Sequence, residues 1–436
     1  MAQSLARSIS VWQGIALYIG AVIGSGILIL PGMTANIAGA DSLLAWGGMV
    51  VLSIPLASTF ARLARDYPSA GGVATFVERA FGHYAGALVG WFYFAGATAG
   101  QFIVPLTGGI YVAYVFDAPR TAAFGIAASI LFGAIIANYF GLRTSGKVQL
   151  ATSSLIVAIL MATILVAMPS INWRASMPGV TGIRWNAVGR SAMLIFWSFF
   201  GWEAIASLAP EFRHPQRDVQ RATWGSLAIV GVLYLGISAA IVGTHAYVRG
   251  TAFQGEEMNN ASLAHVMGLA IGRTGEVVTA LLALAICLGT TNAFVASISR
   301  LAYGLAHQGV APAWFDHVDA RRATPQRAVL LVGMLAGTGL LLTGILHLSM
   351  TQLVYIPNSL GIATYILGTA AGVRLIRHVR GKIYAGIAGA LCLAAYPFVG
   401  TSIEIPAGVA VCCIGYLLWH RSWEMRRSTS DAKETG

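Results

Sequence analysis

Long apolar runs alternate along this chain with short polar and basic connections. A helix needs about 20 apolar residues to cross a bilayer. By that measure the sequence predicts twelve spans, at about 12–39, 42–62, 84–116, 120–140, 147–169, 190–210, 222–245, 275–306, 327–347, 350–373, 382–400 and 403–420. The first is interrupted. Its centre reads Ala21-Val22-Ile23-Gly24-Ser25-Gly26-Ile27-Leu28, with Pro31 one turn later. Gly costs roughly 1 kcal/mol against Ala inside a helix, and Pro about 3. In lipid the freed backbone groups also need partners, so such a break survives where it lines a cavity or meets a ligand. An unwound centre offers N–H groups and a positive half-helix end to an anion, and carbonyls to a cation. An amino acid carries both charges. The same small residues, Ala21, Ser25 and Gly26, would also serve as a face for close helix packing. This stretch alone does not choose between the two.

The sixth run repeats the interruption, with Gly201 and Pro210 inside Met193–Pro210. Runs one and six are five apart, as an inverted repeat of five helices plus five would place them. Paired breaks at corresponding positions are the sequence pointer to a transporter's binding site. The expected architecture is an all-α polytopic membrane protein of twelve transmembrane helices with helices 1 and 6 broken. Residues 1–170 form the first repeat, 189–375 the second, 382–420 the last two helices, and 421–436 a disordered cytoplasmic tail. An amphipathic interfacial stretch is expected between Asp66 and Gly82. Another is expected around Ser262–Met267, with His265 at the water boundary. Trp173 and Trp185 suit an interfacial belt.

Composition agrees with a membrane protein: 57% of residues are hydrophobic and 10% charged, against about 25% charged in soluble domains. Mean hydropathy is +0.72. The first run is too long for a signal-peptide core, so none is expected. The net charge of +11 raises the question of nucleic acid, but its distribution answers otherwise. One set of loops holds most of the basic residues, among them Arg62, Arg65, Arg143, Arg213, Arg321 and Arg377. The opposite set keeps only Arg120, Arg174, Arg184, Arg190, Arg249 and Arg273. This is the positive-inside bias. It puts both termini in the cytoplasm and excludes a nucleic-acid partner; the membrane expected is the plasma (inner) membrane.

The four cysteines fall inside spans and suggest neither a disulfide framework nor a metal site. No cofactor is expected. An intramembrane enzyme would need a catalytic set within the spans. The nine histidines lie near span ends or in loops, and Glu203 is the only deep acid. A carboxylate there is expensive and marks a functional hypothesis by default. Glu203 either couples transport to a proton or bonds the loosened backbone of the break.

Four segments together resemble the amino acid–polyamine–organocation permeases. They are Ile23-Gly24-Ser25-Gly26-Ile27, Tyr67-Pro68-Ser69-Ala70-Gly71-Gly72 through Gly82, Phe196-Trp197-Ser198-Phe199-Phe200-Gly201-Trp202-Glu203, and Ser299-Arg300-Leu301-Ala302-Tyr303 through Pro312. The string Arg65–Ala74 and the loop Pro210–Pro215 look most like bacterial exporters of methionine and branched-chain amino acids. The resemblance implies that the substrate carboxylate meets the amides of Ser25 and Gly26, with Ile23 and Gly24 in the same break. It implies that the amino group meets the carbonyls of Val22, Trp197 and Phe200. It also implies that Phe294 covers the pocket and that Gly96, Ala97 and Gln101 form its wall. The lysine that some proton-coupled members carry in helix 5 has no counterpart in Ser153–Ala158. Thr290-Thr291 could imitate the hydroxyls of sodium-coupled relatives.

The expected function is secondary transport of amino acids by alternating access, as export or exchange of neutral, apolar L-amino acids. The alternatives are a proton- or sodium-driven uptake permease and a transporter-like amino acid sensor. The coupling ion and the oligomeric state are left open.

Overall fold

The computed structural model describes residues 9–67, 72–141, 146–178, 182–202, 209, 212–249, 253–319, 322 and 324–434. Among these the secondary structure is helical. Two isolated bridges, Ile9 with Phe212 and Asp319 with Thr324, are the only β pairings. The helices are α1 Val11–Val22, α2 Gly26–Ala38, α3 Ser42–Asp66, α4 Gly72–Phe81, α5 His83–Val115, α6 Arg120–Tyr139 and α7 Gly146–Ala167. They continue with α8 Trp173–Ser176, α9 Trp185–Ile195, α10 Pro215–Gly243, α11 Phe253–Asn260, α12 Ser262–Ile271 and α13 Arg273–His307. The chain closes with α14 Gln326–Ile345, α15 Met350–Leu375, α16 Val379–Ala395 and α17 Glu404–Glu434.

Nine stretches among the described residues are long and apolar enough to cross a membrane. Two of them, Gly26–Asp66 and Val379–Trp419, run to 41 residues, and each holds two helices joined by a 3₁₀ turn, Gly39–Asp41 and Tyr396–Ile403 respectively. The apolar helix α1 is shorter, so the first predicted span is in fact α1 plus α2 with the break between them. Most other predicted boundaries lie within a few residues of the helix ends. At α10 the helix starts at Pro215, a full turn and more before the apolar run, because proline suits the first helical position and needs no N–H partner there.

The tail needs correction. Residues 421–434 were expected to be disordered, yet α17 continues through them to Glu434. No Gly or Pro interrupts that segment, and its polar residues are acceptable in a helix that has already been nucleated in the membrane.

The helices begin and bury themselves for readable reasons. Ser10 and Gln13 form a reciprocal capping box at α1, and Ser349 and Gln352 form another at α15, satisfying N–H groups that the first turn leaves open. In α4 the residues Val73, Phe76, Val77 and Ala80 are buried. That i, i+3, i+4, i+7 spacing is one face of a helix, and it packs on α5 and α15. On the other side of the molecule α12 buries Leu263, Ala264, Val266 and Met267. His265 is half-buried, and its Nδ1 lies 3.0 Å from the Tyr114 hydroxyl. Trp173 and Trp185 are exposed.

The centre of the bundle is where the two interrupted segments meet. α1 packs against α10 and α7, and α2 against α9, α10 and α11, while α5 runs alongside α13, α6 and α15. Tyr18, Trp46, Phe196, Phe199, Trp202, Tyr234 and Tyr365 are all nearly or fully buried there.

Candidate functional site

The first break is three residues long. α1 ends at Val22, α2 begins at Gly26, and Ile23, Gly24 and Ser25 lie between them. The Gly24 N–H turns back to the Val22 carbonyl at 3.0 Å, and the Leu28 and Ile29 N–H groups both bond the Ser25 carbonyl. Among the described residues no backbone carbonyl receives the amides of Ser25 and Gly26. They stand at the start of α2, where a helix presents open N–H groups and its positive end. The Ser25 side chain does not cap them. Its hydroxyl instead accepts from Trp197 Nε1 at 3.4 Å.

The second break begins where α9 gives way to the 3₁₀ turn Phe196–Phe199. Phe200 is extended, and Gly201 has φ +126°. That angle suits glycine, and so does the space. A Cβ on Gly201 would sit 2.9 Å from the Ala21 carbonyl oxygen of the first break.

Backbone groups freed by both breaks are met by side chains from distant helices. Tyr111 on α5 donates to the Leu28 carbonyl at 2.6 Å. Asn358 on α15 donates to Met193 and Leu194, at 2.7 and 3.3 Å, and Tyr365 donates to Phe199 at 3.3 Å. Tyr234 on α10 serves both breaks, its hydroxyl lying 2.8 Å from the carbonyls of Val22 and Ser198. In an apolar interior each of these bonds replaces a costly orphan.

Between the breaks lies a cavity of about 60 Å³. Of the residues singled out in the sequence, Val22, Gly24, Ser25, Gly26, Gly96, Ala97, Gln101, Trp197, Phe200 and Phe294 all line it. Ile23 does not; its side chain is buried in the core. Glu203 lies outside the described residues. Sequence reasoning missed Phe92, Tyr93, Gly100, Val104, Pro357 and Gly361, which complete the wall. A glycine or aromatic within a span carries no signal that separates a cavity wall from ordinary packing. Among the described residues, the lining contains no Asp, Glu, Lys or Arg.

Polar groups on the wall are few. Gln101 donates from Nε2 to the Ala97 carbonyl at 3.3 Å, while its Oε1 is buried without a partner. Thr290 lines the cavity opposite Gly24, and the neighbouring Thr291 hydroxyl is fully buried and finds no hydrogen-bond partner among the described residues. Among the described residues no cluster of His, Cys, Asp or Glu could hold a metal ion. The arrangement can thus receive an anionic group at helix amides, a donor at carbonyl or carboxamide oxygen, and an apolar body against aromatic rings.

The family model for amino acid permeases matches residues 9–420. An uncharacterized amino acid permease of Bacillus subtilis (strain 168), YecA, is 36% identical over 418 residues, covering 96% of this chain and 97% of that protein. The L-methionine/branched-chain amino acid exporter YjeH of Escherichia coli (strain K12) is 29% identical over 415 residues, covering 91% of this chain and 92% of its own length. Among solved structures, MhsT in complex with L-phenylalanine superposes with a TM-score of 0.63 at 15% identity, covering 91% of this chain and 99% of that one. That likeness speaks to the fold alone.

Proposed function

This chain belongs to the amino acid permease family, a family of multi-pass membrane transporters rather than enzymes, and from that premise we propose that it carries neutral, apolar L-amino acids across the plasma (inner) membrane by alternating access, in export or exchange. The observation that supports this most is the cavity between the two breaks, whose described lining carries no charged side chain and which brings the free amides of Ser25 and Gly26 together with aromatic rings. The carboxylate meets those amides. The ammonium group meets the carbonyls of Trp197 and Phe200, together with that of Val22, which already accepts from Tyr234 and Gly24. An apolar side chain then occupies the space among Trp197, Phe200 and Phe294. The exporter YjeH, among the relatives, lends this reading its direction.

The architecture we infer is twelve spans in an inverted five-plus-five repeat, 1–170 and 189–375, followed by two helices in 382–420. Both termini are cytoplasmic, as the distribution of arginine suggests. Glu203, on the strength of its sequence position alone, is the proposed proton-coupling group.

Counterflow in proteoliposomes tests the proposal. Vesicles loaded with leucine or methionine should accumulate labelled leucine, with and without proton or sodium gradients. If no neutral amino acid exchanges, the substrate reading is wrong. If exchange becomes uptake driven by sodium, the second reading stands, which the Thr290 hydroxyl near Gly24 favours.

A further inference from the structure

Two wall positions of the cavity are occupied by aromatic rings only because the residue behind each ring is glycine. Phe200, from the second break, lies directly on Gly361 of α15: a Cβ built there would fall within the Phe200 ring, against Cζ and Cε1. Beside it, Trp197 lies on Gly100 of α5, where a Cβ would sit 2.8 Å from Trp197 Cη2. Contacts below about 3 Å do not persist between carbon atoms that attract one another optimally at 3.5–4.0 Å. Each ring is therefore recessed into its wall by the missing methyl.

The Phe200 ring has nowhere else to retreat. Behind it stand Phe196 and Tyr365, with ring centroids at 5.2 and 5.3 Å, both fully buried. Trp197 flanks it at 6.3 Å. A close-packed interior does not absorb a displaced phenyl group, so a side chain at position 361 drives the ring into the empty space of the cavity.

We propose that Gly361 and Gly100 set the size of the side chain this transporter accepts, by seating Phe200 and Trp197 out of the chamber. The inference rests on the reading that the cavity holds an apolar amino acid. It adds that the limit on side-chain volume is written at two wall glycines, through the rings seated on them. Pocket discrimination of one methylene amounts to about 10–200-fold, so one inserted methyl that moves a whole ring produces a graded loss.

The test is a competition series in proteoliposomes with alanine, valine, leucine, methionine and phenylalanine against the wild type and four variants. In Gly361→Ala, leucine, methionine and phenylalanine should weaken by about tenfold or more, while alanine keeps its affinity within a few fold. Gly100→Ala should act in the same direction. Phe200→Leu removes the ring without adding strain and should shift preference toward the larger side chains. Gly361→Ala/Phe200→Leu should recover the large substrates. Loss of all five to the same degree, unrelieved in the double variant, would mean that Gly361 is a packing glycine only. An unchanged size ranking in Gly361→Ala overturns the inference outright. If the wild type carries another class of amino acid, the substrate reading fails separately, and the same variants are ranked on a size series within that class.

Discussion

Gly26 of the first break and Ser198 of the second are in direct contact: a Cβ on Gly26 would lie 3.1 Å from the Ser198 Cα and collide with its hydroxyl. The two breaks therefore meet through the absence of a side chain. From sequence, Gly26 is expected to tolerate no substitution because a side chain would crowd a bound carboxylate. The structure adds a second reason. Any side chain there also pushes the two interrupted helices apart.

Gly26→Ala should accordingly abolish substrate binding while the protein still inserts and purifies as a monodisperse species, with a stability loss of about 1–3 kcal/mol, typical of overpacking. Gly26→Val should be at least as severe. Replacing Ser198 by glycine in the Gly26→Ala background removes the hydroxyl from the clash and should restore part of the binding, read by titration calorimetry in detergent. Normal affinity in Gly26→Val would return the first break to the packing reading.

Tyr234 supplies a second test. One phenol proton is shared between the Val22 and Ser198 carbonyls, each 2.8 Å away, and the ring is fixed against Trp46 and Phe199 at 5.3 and 5.2 Å. Tyr234→Phe keeps the rings and deletes the bond, leaving buried carbonyls short of a donor at a cost of about 1–3 kcal/mol. A lower thermal midpoint and slower exchange are expected together. An unchanged midpoint would mean that the phenol is not holding the breaks.

A cavity whose described lining carries no charged side chain should rank its competitors by apolar area, at about 25 cal/mol per Å² removed from water. Leucine, isoleucine and methionine should therefore compete better than lysine, arginine or glutamate, whose side-chain charge would be buried without a partner. Arginine or a polyamine as the tightest competitor would contradict the neutral-substrate reading.

Glu203→Gln separates coupling from scaffolding. The substitution keeps shape and a donor but removes the exchangeable proton. With coupling through Glu203, exchange persists in the variant but loses its pH dependence and its response to an imposed pH gradient. A wild-type pH profile in Glu203→Gln would leave this residue a structural partner only.

Much of this organisation is legible in the sequence, because lipid punishes exceptions. Gly24, Gly26 and Gly201 stand out as breaks because they recur with a nearby proline at corresponding places in runs one and six, and the cavity does lie between them. Helix ends at His83, Arg120 and Met350 follow from where apolar runs stop. The partners that repair the breaks are not legible. Tyr234 and Val22 are separated by 212 residues, and a tyrosine inside an apolar run looks the same whether it faces lipid or a carbonyl. Ile23 shows the converse. It sits within the break, but its side chain turns to the core while its neighbours line the cavity. The spacing Gly96-Ala97-Thr98-Ala99-Gly100 reads as a helix-packing motif. In the structure only half of it packs on a helix, Gly96 against Leu360, while Gly100 receives the Trp197 ring.

The glycines behind Trp197 and Phe200 also bear on how such a transporter changes over generations. Every glycine codon is one base away from an alanine codon. A single nucleotide change at position 100 or 361 adds one methyl behind a ring and leaves the amides at Ser25 and Gly26 untouched. Selectivity for size is thus open to point mutation separately from recognition of the amino acid backbone.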